Sequence, residues 1–162
     1  MSVIIHSVTF TRPANTTAYA AGDLVANSAT AEDVVPLVFG TGAGNEVFRT
    51  VRGARVRKSS TGANGNSWTL NLFSAEPDVT SGDNAALAVA DGRVRFIGKM
   101  SGTTGEVWTD GTTHLLAPSP NAQIPVITAG KIYGLLQVDA AYAPASGESF
   151  TVQLFCTAYT DC

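Results

Sequence analysis

The sequence predicts an all-β fold: a single-domain antiparallel β-sandwich over residues 1–162, jelly-roll-like, with an Ig-like sandwich as the alternative strand order. Three observations carry this. Apolar residues recur with a period of two in segment after segment, and a sustained helical period is hard to find. The breaks between those segments are rich in Gly, Pro and Asn. The 162 residues suit one sizeable core, since roughly 70% of the unfolded chain's surface can be buried at this size.

The elements follow in order. Val3, Ile5, Ser7 and Thr9 alternate with Ile4, His6, Val8 and Phe10, a first strand apolar on much of both faces. It ends at Thr11-Arg12-Pro13, because proline has no ladder donor. Residues 24–26 and 36–39 read as short strands, and "GTGAGN" (residues 40–45) as a turn. Residues 46–59 form a long strand with Gly53 inside it, which predicts a bulge. "TGANGN" (residues 61–66) supplies a hairpin turn through Asn64-Gly65. Residues 67–75 alternate cleanly, with Trp68, Leu70 and Leu72 on the face expected to be core. A helical turn is expected around residues 84–89, capped by Ser81 or Asp83. Strands resume at 93–100, at 106–116 with a break at Asp110-Gly111, and at 124–128, 131–138 and 149–159. About nine or ten strands result.

Composition narrows the function classes. Charged residues make up 14%, against roughly 25% in an average globular protein. A neutral surface rich in small residues suits broad protein contact. The net charge of −3 speaks against nucleic acid, which is bound through a basic footprint. Met1-Ser2 leads straight into alternating residues, so no secretory signal is expected. No apolar run approaches the ~18 residues of a membrane span. Cys156 and Cys162 are expected as free thiols of a reducing compartment.

Catalytic chemistry is thinly supplied, and no catalytic residue, cofactor or metal site is expected. Only His6 and His114 offer a base near neutral pH, and both read as ordinary surface or satisfied histidines. "GTGAG" and "GRVRFIGKM" fail the dinucleotide and P-loop patterns in glycine spacing. The basic residues are more distinctive: Arg49, Arg52, Arg55, Arg57 and Lys58, five of ten in the chain, fall on the long strand. Arginine's forked guanidinium suits interfaces, so the strand is a candidate patch for an acidic partner. The alternative is an edge strand kept from aggregating by its charges.

Two resemblances add to this. Tyr19-x-x-Gly22-Asp23-x-Val25 is similar to the turn half of the signature of small chitin- and cellulose-binding modules, without the tryptophan that precedes it there. The bland reading is a turn entering a strand, with Tyr19 packed on the sandwich edge. More widely, "FTRPANTTAYAAGDLVANS" (10–28), "SWTLNLFSAEP" (67–77), "GDNAAL" (82–87) and "IYGLLQVDAAYAPASGESFTVQLF" (132–155) resemble a group of phage and prophage virion-associated proteins of similar length. The resemblance implies a head decoration, or cement, protein: a β-rich domain on the capsid exterior, assembled in the host cytoplasm. Its implied partners are the phage major capsid protein and further copies of itself, as a trimer ahead of a dimer, with no nucleic acid and no membrane.

The candidate protein-binding residues are Val3, Ile5 and Phe10 of the first strand, with residues 1–12 as an inter-subunit strand or arm, and Arg49, Arg52, Arg55 and Arg57. The alternative function is a carbohydrate-binding or host-adhesion module of a tail or fibre, using Tyr19, Trp68, Trp108 or Tyr133. Trp108, beside the Asp110-Gly111 turn, is the aromatic expected to be exposed. A third reading is a tail-tube or connector component.

Overall fold

The computed structural model describes residues 2–40, 48–61, 67–103, 105–118 and 130–158. Ten strands form one curled sheet: β1 (Ser2–Thr11), β2 (Leu24–Val25), β3 (Leu37–Phe39), β4 (Phe48–Lys58), β5 (Trp68–Phe73), β6 (Phe96–Gly102), β7 (Gly105–Trp108), β8 (Gly111–Pro118), β9 (Ile132–Val138) and β10 (Ser149–Ala158). Every pairing is antiparallel, in the order β1-β10-β4-β8-β6-β5-β9-β2. β3 also pairs with β9, and β7 with β8. Strand β8 is the corner: residues 112–116 pair with β4 and residues 117–118 with β6. The result is a jelly-roll-like β-sandwich. Its first sheet is β1-β10-β4-β8 with β7, and its second is β6-β5-β9 with β2 and β3.

The bulge predicted at Gly53 is present. Phe155 pairs with Gly53 and Cys156 with Val51, leaving Arg52 as the extra residue. The Asp110-Gly111 break is a tight hairpin turn, with Trp108 opposite Gly111. Gly111 has φ +140, and a Cβ there would meet the Lys58 carbonyl at 2.0 Å, so both conformation and space demand glycine. Trp68 lies fully buried at the sandwich centre, edge-on to Tyr142, Phe150 and His114 at 5.5, 5.6 and 5.7 Å. Aromatic pairs at such distances add about 0.5–1.5 kcal/mol each beyond their burial.

Several expectations are corrected. Residues 84–89 are not helical; Asn84 adopts φ +63, outside the helical basin, and the segment bridges to Asp23 through Ala86. A one-turn helix, α1 (Gly92–Arg95), stands instead where a strand was expected to begin. All but the first residue of the turns expected at 40–45 and 61–66, and the whole strand expected at 124–128, lie outside the described residues, as does Cys162. Cys156 points into the core, and burial pushes its thiol up to about 12.

The outer face of the second sheet carries a core of its own. Leu24, Ala26, Phe73 and Leu135 are buried there, beneath Val79, Leu87 and Val89. Those three belong to the segment between β5 and α1, which folds back as a cover tied by the Val79–Val89 bridge. Backbone bonds from Leu24 to Ala85 and from Leu87 to Gly22 fasten it to the β2 side.

Candidate functional site

Side chains alternate across a strand, so register assigns each residue to a face. In β1, Ile4, His6, Val8 and Phe10 stand opposite Cys156, Leu154, Val152 and Phe150, which are buried. Val3, Ile5, Ser7, Thr9 and Thr11 therefore face outward. The same outer face receives Gln153 and Phe155 from β10, Arg55 and Arg57 from β4, and Leu115 from β8. In contrast to the second sheet, no segment among the described residues lies across it, and its apolar groups are open. Val3 is 65% exposed, Leu115 63%, Trp108 57% and Ile5 54%.

The arginines of this face differ in freedom. Arg55 donates through Nε to Gln153 Oε1 at 2.7 Å, and its guanidinium lies 5.9 Å from the Phe155 ring centroid. Arg57 approaches Asp110 at 3.9 Å, with both side chains largely exposed. An exposed pair of that length contributes little, leaving Arg57 available to another carboxylate. With Trp108 and Thr113 these groups line an open groove. An aromatic plane, two guanidiniums and exposed aliphatic groups are what a protein partner with carboxylates would engage.

The structure thus sets Val3, Ile5, Arg55 and Arg57 on one face of the sheet, with Arg57 aligned with Thr9 rather than with Val3. Arg52, the extra residue of the bulge, is exposed. Arg49 lies on the β4 backbone, and its side chain falls outside the described residues. Two members of the expected sets are corrected. Phe10 turns inward and stacks on Phe150 at 5.4 Å between ring centroids, so it is a packing residue. Lys58 shares the core-facing parity of Val56 and is buried. Trp108, expected only for sugar stacking, joins the arginines. Tyr19 and Trp68, at 1% and 0% exposure, present no face to a sugar. Tyr133 is partly buried in the second sheet's outer core.

What the sequence reading missed is a buried polar network joining the segments that flank the strands. Arg12 donates to Asp83 Oδ2 at 3.1 Å, to the Tyr19 hydroxyl at 2.8 Å and to the Asn15 carbonyl at 2.6 Å. Tyr19 donates to Asp83 Oδ1 at 2.5 Å, and the Ala26 amide to the same oxygen at 3.0 Å. Tyr19 stacks on Tyr142, whose hydroxyl donates to Glu148 at 3.2 Å. Lys58 donates to Glu148 at 3.2 Å and to Ser60 at 2.9 Å, and Ser60 bonds Glu148 in turn. The side chains of both ion pairs are at most 1% exposed.

Burial, then the Asp83 charge and hydrogen bond, raises the Tyr19 pKa well above its ordinary value; burial and then Glu148 do the same for Tyr142. Burial lowers that of Lys58 against the pull of Glu148. Burial and then the Lys58 charge lower that of His114, whose two ring nitrogens have no hydrogen-bond partner among the described residues. A catalytic group must touch its substrate, and these side chains are sealed. The network is a lock between loops.

The only sequence signal for it was isolated charge beside turn residues in a chain poor in charge: Arg12-Pro13, Gly82-Asp83 and Gly147-Glu148. Among the described residues, no group of three or more His, Cys, Asp or Glu is placed to hold a metal, and no helix is long and apolar enough to cross a membrane.

The class these features define is a jelly-roll-like β-sandwich with one outer face covered by its own chain and the other open. No family model matches the chain, and no curated protein matches it. Among solved structures it is similar to the crystal structure of a decameric BFDV capsid protein, at 14% identity and a TM-score of 0.38, over 98% of this chain and 99% of that one. A likeness at that score and identity carries nothing about role.

Proposed function

We propose that this chain is a phage virion structural protein, a head decoration protein that docks the open face of its first sheet on the capsid exterior and bridges capsomers. The observation that carries the reading is that this face exposes Leu115 and Trp108 next to Arg55 and Arg57, and Val3 and Ile5 elsewhere on the same sheet. Exposed apolar groups beside the available Arg57 guanidinium favour a protein partner. The resemblance of the scaffold segments to virion-associated proteins supplies the setting. Such a role draws on binding area rather than catalysis, and repetition over a lattice multiplies weak contacts.

The test is co-sedimentation of purified protein with matching expanded heads that lack it. Saturable binding is expected, and the Arg55→Glu/Arg57→Glu double variant is expected to lose at least ten-fold in affinity while unfolding at the wild-type midpoint. Absence of binding to heads, or full occupancy by the double variant, overturns the reading. A second reading, a carbohydrate-binding adhesion module, is favoured by the exposure of Trp108 in the arginine groove. In that case Trp108→Ala abolishes retention on host-cell glycans, and heads are not bound.

A further inference from the structure

We propose that β1 is an intermolecular strand, whose outer edge pairs antiparallel with β1 of a second copy of this chain about a two-fold axis.

Hydrogen-bond parity identifies the free groups. The Arg12 amide donates to the Glu148 carbonyl at 3.1 Å, continuing the β1–β10 register in which Thr11 faces Ser149. In an antiparallel ladder, residues that exchange hydrogen bonds alternate with residues that do not. The even-numbered residues of β1 therefore direct their backbone groups at β10. Val3, Ile5, Ser7, Thr9 and Thr11 direct theirs at the opposite edge. No strand among the described residues forms a ladder there; β3 comes near without one.

An edge of this kind is usually blunted by charge, proline, a bulge or shortness. β1 has none of these. It runs for 10 residues, SVIIHSVTFT, without a charged residue or a proline, and its register with β10 is unbroken. β4, by contrast, is both bulged and basic.

The occupant that fits is a second copy. A neutral strand meets its own copy without like-charge repulsion, and odd residues then stand opposite odd residues, so every free donor faces a free acceptor. An axis perpendicular to the sheet keeps both outer faces on one side, and the two open faces become one continuous surface. Such a contact is isologous and closes as a dimer, which departs from the trimer expected from the resemblance. The proposal stands apart from the capsid reading and is tested without capsids.

Sedimentation equilibrium of the purified full chain over a dilution series tests it. A reversible dimer is expected. Ile5→Lys places a charge on each edge and is expected to give a monomer. Ser7→Pro removes an edge donor that the β10 ladder does not use, and is expected to do the same. Arg55→Glu/Arg57→Glu, on the face rather than the edge, stays dimeric. A wild-type monomer or trimer, or dimers in both edge variants, overturns the proposal. Should an edge variant fail to fold, amide exchange of the wild type decides. Val3, Ile5, Ser7 and Thr9 are expected to be protected at high concentration and to exchange on dilution. Exchange at loop rates throughout overturns it.

Discussion

Both sheets of the sandwich bury their inner faces against each other, yet their outer faces are finished in different ways. The second sheet spends part of the chain on a cover, the segment from β5 to α1, and beneath it Leu24, Phe73 and Leu135 are buried almost completely. The first sheet has outer residues of comparable size, Val3, Ile5, Leu115 and Trp108, and leaves them in water. Exposed apolar side chains of this size, several on one face, favour a surface that something else covers. The difference teaches where to look for a partner. The face that no described segment covers is the one left to the proposed neighbours, a capsid on the face and a second copy at the edge.

The comparison can be broken most forcefully at the anchor of the cover. Asp83 ties that segment to Arg12, and Asp83→Ala leaves the buried guanidinium without its carboxylate. Breaking a buried ion pair by removing one partner costs about 3–5 kcal/mol. The expected result is a large fall in the urea midpoint, with dye binding reporting apolar surface newly opened on the second sheet. A midpoint near wild type would mean that the cover is held by its apolar contacts alone.

Paired truncations sharpen the same contrast. Leu135→Ala removes a side chain 2% exposed under the cover, and is expected to cost about 2–5 kcal/mol. Leu115→Ala, on the open face at 63% exposure, is expected to stay within about 0.5 kcal/mol by the same denaturant titration. Equal costs would erase the distinction between the two faces.

The smallest effect concerns the interior that both faces share. The folded state holds the pKa of His114 below its ordinary 6.5, so the unfolded chain takes up the proton first as pH falls. Stability therefore declines as pH drops through about 6.5 and keeps declining until the folded pKa is reached, by about 1.4 kcal/mol for each pH unit between the two values. His114→Leu is expected to flatten that limb, whereas Leu115→Ala leaves it intact. On the alkaline side the sign reverses. Tyr19 and Tyr142 keep their protons in the fold above the ordinary 10.0, so the unfolded chain ionises first and stability declines as pH rises past it. Urea midpoints across pH check both limbs.

Much of the fold was legible because its signals are local. Period two marked β1, β4, β5, β9 and β10, and turn chemistry marked Gly22-Asp23 and Asp110-Gly111. The helical turn at 84–89 was misread, since short polar segments rich in Ser, Asp and Asn cap a helix and build a bridge loop equally well. Of the candidate site, the arginines were visible as a cluster, but Lys58 was grouped with them although it shares the core-facing parity of Val56. Trp108 could not be joined to them, because that takes the pairing of β7 and β4 with β8.

Strand periodicity and turn residues, properties of neighbours along the chain, determined that this sequence makes an antiparallel β-sandwich. Pairing decided the rest. Arg12 finds Asp83 at a separation of 71 residues and Lys58 finds Glu148 at 90, so charges far apart along the chain became a buried lock. Only strand order makes β1 an edge among the described residues, with no ladder on its odd-numbered backbone groups there. Likewise, among the described residues the segment from β5 to α1 folds over the second sheet and none folds over the first. A side chain's facing follows from local geometry, but what covers it depends on which distant segment the closed sheet brings near.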